Sequence, residues 1–515
     1  NEKLQISTTH GVVQGRRAVT YDGIEFWAYS GIPYAKPPLG NLRFRGPKPA
    51  VPWPGVLDAR KDGQTCVETM MRLTKFYTFG NEDCLYLNVF TPQNPKAIKE
   101  YLPVLVWIYG GAFLEGNSST RYYGPDNLMH RDVVVVTFNY RVGIFVPGDS
   151  ASPGNYGLKD QNLALRWVQA NIRRFGGDSG RGLFHGIIAM SGSTLCTFAY
   201  KRDARSVAFQ VAEGLGLSTK STKEFVSQLR KTDVARLKEI SVKVLAVGML
   251  MILQDGFPFN PVIESNHKDA FISENTYTLL ESGRFNRVPV LIGVNSLEAI
   301  FFSKIANLTK PFTILFDISP GSVPSLSMNI KTPDERRAVG IAIKRHYFRE
   351  ESFLESTEDE ILNYLSDDQF VRPIRKTIQL IWKYVPVHFY VFDYRSDYGL
   401  KGFEDDLKGK DGVGHSEELP FVWKGAFRRA PRGLDDLTVL RMTKFYSNFA
   451  RTGNPVPERD DLFENITWPT VRSSRTIPYL KIERHLSVGK NFREEHMIFW
   501  DKIYERYGNR PYFVY

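Results

Sequence analysis

The stretch VVVVTF at residues 133–138 is followed by LKDQNLALRWVQANIRR at residues 158–174 and then by IIAM at residues 187–190. The first and third runs are short, apolar and partly β-branched, which is typical of strands buried in a parallel sheet. The middle stretch places apolar residues near the helical period and ends before Gly176 and Gly177, which predicts a helix. Strand, helix and strand in this order form the repeating unit of an α/β sheet.

The same two patterns recur on both sides of this unit. Strand-like apolar runs occupy residues 103–108, 288–293 and 388–394, and helical segments run over about 206–215, 222–231, 358–364 and 437–452. No internal repeat, low-complexity tract or Ser/Gly linker divides the 515 residues. We therefore predict a single α/β domain over residues 1–515, with helical insertions.

Composition and charge exclude several classes of protein. Hydrophobic residues make up 42% of the chain, which is enough for a large core. The net charge of +11 comes from basic residues that are scattered along the chain, so no nucleic-acid partner is expected. No run approaches the roughly 18 apolar residues of a membrane span. Because the sequence begins at Asn1 without an initiator methionine, we expect a processed or truncated N-terminus.

Cysteines and glycosylation tripeptides bear on the compartment. Cys66 and Cys84 lie at the two ends of a short loop and could form a disulfide bond in an oxidising compartment. Cys196 is then left over, and we expect it to be a buried apolar residue. Three cysteines at these spacings form no zinc site. Tripeptides for N-glycosylation begin at three asparagines, Asn117, Asn307 and Asn465. Together these features predict a secreted, extracellular glycoprotein with one disulfide bond.

Seven strings spread along the whole chain resemble the type-B carboxylesterase and cholinesterase family. In order, they are GIPYAKPPLGNLRF at 31–44, EDCLYLNVFTP at 82–92, VLVWIYGGAF at 104–113, PGNYGLKDQ at 153–161, GVNSLEA at 293–299, GVGHSEELPFVW at 412–423 and NFARTGNP at 448–455. The resemblance implies an α/β-hydrolase fold, with a mostly parallel central sheet and helices on both faces.

The chemistry that this resemblance implies is acyl transfer. A serine on a strained turn attacks the ester carbonyl, a histidine takes its proton, and a carboxylate holds the imidazole. The resemblance places Glu298 at the acid position, His415 at the base position, and the backbone N–H groups of Gly110 and Gly111 at the oxyanion hole. Taken alone, Glu298 would be a surface carboxylate and His415 a loop residue, but the surrounding strings favour the catalytic interpretation. No metal or organic cofactor is required.

The segment that should carry the serine is absent. In the family, FGGD is followed by a strand and by G-x-S-x-G at the start of a helix. Here FGGD at 175–178 is followed almost directly by SGRGLFHG at 179–186. Roughly two dozen residues are missing relative to the family pattern, about the length of one strand, one helix and their connections. The sheet should therefore lack one strand–helix unit.

Two other serines are candidates for the nucleophile. Ser150 follows Pro147 with no strand that leads directly into a helix, and it is better explained as a turn residue. Ser191 follows the strand at 187–190, which could move into the vacant position, but Met190 beside it does not relieve the strain of a nucleophile turn. The simpler interpretation of Ser191 is a hydrogen-bonded serine at a strand end. We therefore predict no nucleophile within reach of His415.

The leading interpretation is a carboxylic ester hydrolase whose complete form acts through Ser, His and Glu, and whose present form is inactive or nearly so. The gap has three explanations: residues omitted from the sequence, a segment lost from the transcript or gene model, or a true non-catalytic relative. The alternative function is a cholinesterase-like binding, adhesion or carrier protein, although no added membrane or cytoplasmic segment supports adhesion. Nothing in the sequence indicates an oligomeric state.

The ligand is expected to be a small lipophilic ester. The family's cholinesterases place a tryptophan in the loop that corresponds to residues 66–84, where it holds the choline cation. This loop contains Phe76, Tyr77 and Phe79 but no tryptophan. The sequence therefore favours a general or lipophilic carboxylesterase, of the kind abundant in insects.

Overall fold

The structure is a computed structural model that describes residues 4–72, 75–143, 152–180, 182–217, 221–248, 252–305, 314–349, 358–399, 410–425 and 429–515. The strands formed by these residues are β1 (Gln5–Ser7), β2 (Val12–Gln14), β3 (Arg16–Val19), β4 (Glu25–Pro33), β5 (Val56–Asp58), β6 (Glu68–Arg72), β7 (Lys75–Phe79), β8 (Tyr86–Thr91), β9 (Val104–Trp107), β10 (Val134–Phe138), β11 (Ile187–Met190), β12 (Val290–Asn295), β13 (Val387–Phe392), β14 (Pro478–Ile482) and β15 (Leu486–Lys490).

The helices connect and cover these strands. They are α1 (Tyr156–Asn171), α2 (Ala204–Gly214), α3 (Thr222–Lys231), α4 (Val234–Gly248), α5 (Ile252–Asp255), α6 (Thr276–Glu281), α7 (Pro333–Phe348), α8 (Glu358–Ser366), α9 (Arg372–Ile381), α10 (Leu434–Thr452) and α11 (Glu494–Tyr507). A π-helical turn at Asp367–Val371 joins α8 to α9.

Two five-stranded sheets hold most of the strands. The first, which we call the N-terminal sheet, has the order β3-β4-β8-β10-β9, and only its β9–β10 pair is parallel. The second, the C-terminal sheet, has the order β11-β12-β13-β14-β15, and its first four strands are parallel. Strands β1, β2 and β5 form a small third sheet, and β6 pairs with β7 as a hairpin.

The five strands expected from the sequence are present, with ends shifted by at most two residues. Strands β10, β12 and β13 are buried along their whole length, as expected. Strands β9 and β11 are only partly buried, because in the described part of the chain no strand pairs with the outer edge of either one. The predicted strand–helix–strand unit is therefore divided, since β10 and β11 lie in different sheets. Strand β11 pairs with β12 instead of moving beside β9.

A buried ion pair fixes α1 against the N-terminal sheet. Asp160, which is fully buried, accepts hydrogen bonds from Nε of Arg141 at 2.8 Å, from its Nη2 at 2.7 Å and from its backbone N–H at 3.0 Å. Arg141 follows β10 by three residues, so the pair holds the first turns of α1 beside the end of that strand. A bidentate, charge-assisted contact of this kind sets an orientation as well as contributing energy.

Helix α10 packs against both large sheets. Its buried side chains, among them Met442 and Phe445, belong to one hydrophobic cluster with strands β8 and β10 of the N-terminal sheet and β12 to β14 of the C-terminal sheet. Arg131, just before β10, donates to the hydroxyl of Thr443 at 3.0 Å. On the other side, the hydroxyls of Tyr390 in β13 and Tyr446 lie 3.4 Å apart. The helix thus bridges the two sheets.

The structure describes all three cysteines, which bear on the cellular compartment. Cys66 and Cys84 form a disulfide bond with a Cα–Cα distance of 4.9 Å, as expected from the sequence. Cys196 is buried, and its burial raises the pKa of the thiol to about 12, so it behaves as an apolar residue. No helix in the described residues is long and apolar enough to span a membrane.

The glycosylation tripeptides differ in exposure. Asn117 is only 5% exposed, and its side chain contacts Glu68 and the backbone N–H of Ser119. The folded chain therefore does not present this asparagine to solvent, which the tripeptide alone could not reveal. Asn465 is exposed, and Asn307 lies outside the described residues.

Candidate active site

The predicted acid, Glu298, lies directly beyond the carboxyl end of β12. It begins a 3₁₀ helix, Glu298–Ile305, and its carboxylate is fully buried. One oxygen, Oε1, accepts the backbone N–H of Asn295 at 2.7 Å. The other, Oε2, lies 2.8 Å from Nδ1 of His415. Each carboxylate oxygen therefore has a fixed partner, and the carboxylate is aimed at the imidazole.

The predicted base, His415, lies on the loop that follows β13. Its backbone N–H donates to the carbonyl of Glu298 at 3.0 Å, so main chain and side chain both join the two residues. Gly412, with φ of 150°, is needed here, because a Cβ at this position would approach Cβ of Leu297 to 2.5 Å. The structure thus brings together the acid and base residues that the sequence indicated.

The imidazole of His415 is held on one side and open on the other. The rings of Phe301 and Phe370 lie 5.4 and 5.0 Å from it, and its side chain is 33% exposed. Burial by itself lowers the pKa of His415, but the hydrogen bond and charge of Glu298, together with the charge of Glu418, outweigh burial and raise it. Nδ1 is engaged by Glu298, and Nε2 has no hydrogen-bond partner among the described residues.

A second buried carboxylate lies behind this pair. The side-chain amide of Asn295 donates to Oε2 of Glu418 at 2.6 Å and to the carbonyl of Gly414 at 2.6 Å. Burial, followed by the negative charge of Glu298, raises the pKa of Glu418 to about 7. Sequence reasoning gave no role to Asn295 or Glu418, although both lie in the strings GVNSLEA and GVGHSEELPFVW. Asn295 joins the two carboxylates through its backbone and its side chain.

The predicted oxyanion turn follows β9. A Cβ on Gly111, whose φ is 130°, would lie 2.1 Å from the carbonyl oxygen of Glu115, so only glycine fits there. The carbonyl of Gly111 accepts the N–H of Leu114 at 2.8 Å, which closes the turn. Within the described residues, the N–H groups of Gly110 and Gly111 have no acceptor. They are the kind of backbone donors that an oxyanion requires.

Of the two candidate serines, only Ser191 lies in the described part of the chain, and it has no contact that completes this arrangement. Ser191 follows β11 with φ of 53°, and its N–H donates to the carbonyl of Gly293 at 3.0 Å. Its hydroxyl is buried and has no hydrogen-bond partner among the described residues. It therefore makes no hydrogen bond to His415, and it does not cap the strand end, contrary to the simpler interpretation. Ser150 lies outside the described residues.

The chain is similar to known proteins along most of its length. The sequence profile of the carboxylesterase family matches residues 2–181 and 179–500, two stretches that meet where FGGD is followed by SGRG. A carboxylic ester hydrolase from Bombus ignitus is 31% identical over 489 residues, which cover 88% of this chain and 86% of the relative. A juvenile hormone esterase from Tribolium castaneum is 28% identical over 517 residues, covering 90% and 85%.

A solved structure extends the similarity to the fold. The crystal structure of juvenile hormone esterase from Manduca sexta, with OTFP covalently attached, superposes with a TM-score of 0.83. It is 26% identical and covers 98% of this chain and 100% of its own. The chain has the α/β-hydrolase fold, and it belongs to the carboxylesterase family.

Proposed function

We propose that this chain is the scaffold of a carboxylic ester hydrolase in which His415 has no serine to activate. The observation that carries the proposal is the pairing of His415 with Glu298 through Nδ1, while Nε2 has no serine partner among the described residues. Nε2 is the nitrogen that takes a proton from the nucleophile in a triad of this kind. In this proposal the acid and the base are paired, and the nucleophile that they would serve is missing.

The remaining parts define what the site can still do. Glu298 fixes the tautomer of His415 that leaves Nε2 available, and in this proposal the amides of Gly110 and Gly111 bind the ester carbonyl. Without a hydroxyl, no acyl-enzyme forms and the leaving alcohol is not released. Loss of the nucleophile costs a factor of order 10⁶ in kcat in other triad enzymes. The chain should bind an ester without turning it over at a useful rate.

The position of the proposed loss is the junction between Asp178 and Ser179. Gly177 pairs in parallel with Leu102, so the chain begins a strand beside β9 and then leaves it after Asp178. The two matches to the family profile also meet at this point. Sequencing the transcript across these two codons tests the loss directly. An uninterrupted frame that encodes a strand and G-x-S-x-G would contradict it.

We further assign a small lipophilic ester as ligand and an extracellular location. Relatives named juvenile hormone esterase support a lipophilic ester. The disulfide bond of Cys66 and Cys84 and the exposed Asn465 support secretion. Tyr77 and Phe79 in the disulfide loop are 50% and 39% exposed, so they do not form an enclosed aromatic cage for a cation.

Covalent labelling tests the absence of a nucleophile. The purified chain is incubated with an organophosphonate and with a short-chain aryl ester, and labelled peptides are identified by mass spectrometry. The expected result is no labelled serine and a hydrolysis rate that His415→Gln does not change. A chain with a strand and G-x-S-x-G inserted after Asp178 is the matched positive control. A label on Ser191 that disappears in His415→Gln would show that another serine has replaced the lost one.

The second candidate function is that of a non-catalytic binding protein. The lack of a serine partner for Nε2 of His415 among the described residues supports it as well. A binding protein retains its ligand unchanged. Incubation with a lipophilic ester, removal of unbound ester and mass spectrometry of the extracted ligand test this candidate. Recovery of retained, intact ester supports a binding protein, and recovery of no ligand contradicts it. Recovery of the free acid would contradict both candidates, because neither turns the ester over.

A further inference from the structure

Two histidines meet where the end of α7 contacts the start of α11. His346 lies in the last turn of α7, and His496 lies in the first turn of α11. Nε2 of His346 and Nδ1 of His496 are 2.9 Å apart, so one imidazole donates a hydrogen bond to the other. We call these two residues the histidine pair. The sequence did not indicate it, because its members are 150 residues apart.

Aromatic rings hold both imidazoles in place. The ring of His346 stacks on Phe499 in α11, with centroids 4.0 Å apart and planes 3° from parallel. The ring of His496 stacks on Tyr347 in α7, at 4.9 Å and 9°. Each imidazole is therefore held against a ring of the opposite helix, and the two nitrogens cannot turn away from each other without the loss of a stack.

The hydrogen bond between the imidazoles tolerates one added proton but not two. When both rings are neutral, an N–H group of one ring points at the lone pair of the other. A first proton can enter at a nitrogen outside the contact, so the bond remains and becomes charge-assisted. A second proton must enter at the nitrogen that accepts the bond, because no other nitrogen is still without a hydrogen. Two N–H groups of two positive rings then face each other across 2.9 Å.

Solvent reaches the histidine pair through a cavity of about 490 Å³. The helices α7, α8 and α11 all contribute residues to its wall. Charged groups of both signs face the pair. In the part of the chain that the structure describes, they are Arg349 after α7, Glu360 in α8, Asp367 in the π-helical turn, and Arg493, Glu494 and Glu495 at the start of α11.

The surroundings of the pair resist protonation. Burial and the charge of His496 lower the pKa of His346, and the charge of Glu495 offsets this only in part. Burial and the charge of Arg493 lower the pKa of His496, and the charges of Asp367 and Glu495 offset this only in part. Both rings therefore take up protons at a lower pH than an ordinary histidine, whose pKa is 6.5.

The start of α11 also supports the candidate active site. Arg493, the residue before α11, donates to Oδ1 of Asn363 at 2.7 Å and to Oδ2 of Asp367 at 3.2 Å. Asp367 begins the π-helical turn that contains Phe370, whose ring lies 5.0 Å from that of His415. Release of the first turn of α11 would therefore loosen one wall of that site.

We propose that the histidine pair is a pH-dependent switch, which holds the start of α11 against the end of α7 near neutral pH and releases it when both imidazoles are protonated. The switch is independent of the proposed function, since it requires neither an ester nor a serine. The stability that the contact contributes is fully present above pH 6.5. It is lost as the pH falls, because the unfolded chain takes up these protons near pH 6.5 and the folded chain only at lower pH.

An NMR titration of the full 515-residue chain, labelled with carbon-13 at Cε1 of its histidines, tests the coupling. We expect two resonances that each report two steps, separated by more than about one pH unit, with the lower step below pH 6.5. His346→Gln removes one charge and keeps a side chain that can donate a hydrogen bond. In this variant, His496 should titrate in a single step at a higher pH than the lower step of the parent chain.

Hydrogen exchange measured by mass spectrometry shows whether α11 is released. The parent chain is compared at pH 7.5 and at one pH unit below the lower step, after correction for the intrinsic pH dependence of exchange. Peptides covering residues 494–500 should exchange about tenfold faster at the lower pH, because a pKa difference of about one unit between the closed and open states changes the opening equilibrium tenfold. His346→Gln should abolish most of this acceleration. The matched control is His485→Gln, whose histidine is 77% exposed, and it should behave as the parent chain does.

Several results would overturn the proposal. They are single-step titration of both histidines at ordinary pH, a titration of His496 that His346→Gln does not shift, and exchange in α11 that does not accelerate in acid. Equal acceleration throughout the chain would also overturn it, since this means global unfolding instead of local release. The titration and the exchange of the parent chain need no variant, so they decide the matter even if His346→Gln folds poorly.

Discussion

Replacing Glu418 with glutamine should make the folding stability of this chain less dependent on pH. In the folded chain, burial and the charge of Glu298 raise the pKa of Glu418 to about 7, compared with 4.5 for an ordinary glutamate. Between these two values, the folded state binds more protons than the unfolded state does. The free energy of unfolding therefore falls as the pH rises through this window. Well below pH 4.5 both states are protonated and the effect vanishes.

The size of the effect follows from the same two pKa values. Their difference corresponds to about 3 kcal/mol that is lost from the free energy of unfolding by pH 8. Glutamine has no proton to lose, and its carbonyl can still accept the hydrogen bond that Asn295 donates at 2.6 Å. Glu418→Gln should thus exceed the parent chain in stability by up to about 3 kcal/mol at pH 8, and by less than about 1 kcal/mol at pH 5.

Denaturant unfolding at pH 5 and pH 8, followed by tryptophan fluorescence, measures this difference. The matched control is Glu458→Gln, because Glu458 is an exposed glutamate. The control should lose as much stability between the two pH values as the parent chain does. If Glu418→Gln loses the same amount, Glu418 is ionised throughout the range, and our account of the buried carboxylate pair is wrong.

Three further outcomes are expected. The double variant Cys66→Ala and Cys84→Ala should have a free energy of unfolding about 3 kcal/mol lower in denaturant, because the disulfide bond closes a loop with a sequence separation of 18. The parent chain treated with reductant should show the same loss. An unchanged unfolding midpoint would contradict this prediction. Glu298→Gln should lower the pKa of His415 in an NMR titration, because burial then acts without the opposing hydrogen bond and charge, whereas a higher pKa would refute that balance. Asn465→Gln should remove one glycan mass from chain produced through a secretory pathway, and an unaltered mass would show that this asparagine is unmodified.

Local patterns predicted the main elements well. Helix α3 was placed at its exact bounds, and the serine before it caps the helix by accepting the N–H of Glu224. Helix α7 was missed, although Thr332 and Glu335 form a capping box with a proline between them, a signal that can be found in sequence. These successes and failures concern contacts within a few residues of one another.

The pairing of the strands could not be predicted in the same way. The run at 187–190 was correctly identified as a strand, but its neighbour depends on residues more than 100 positions away in β12. The division of the sheet, and hence the partial exposure of β9 and β11, follows from that pairing. The short strands β1, β2 and β5 were missed because three residues are too few to show a period.

The candidate site shows the same limit. Glu298 and His415 were predicted as acid and base from the strings around them, and the structure brings their side chains together. Asn295 was not identified, because its importance comes from two carboxylates that meet it from different loops. A sequence shows an asparagine at the end of a strand, and nothing in its neighbours indicates the buried charge it must satisfy.

Helix α10 determines how the two large sheets are coupled when the molecule unfolds. The strands of a continuous sheet are joined by backbone hydrogen bonds, and among the described strands none joins β9 to β11. Side chains of α10 contact residues of both sheets, including Arg131 beside β10 and Tyr390 in β13, and so connect the two sheets across this gap. The cooperativity with which the two halves unfold therefore depends on side-chain packing against this helix rather than on a shared backbone ladder.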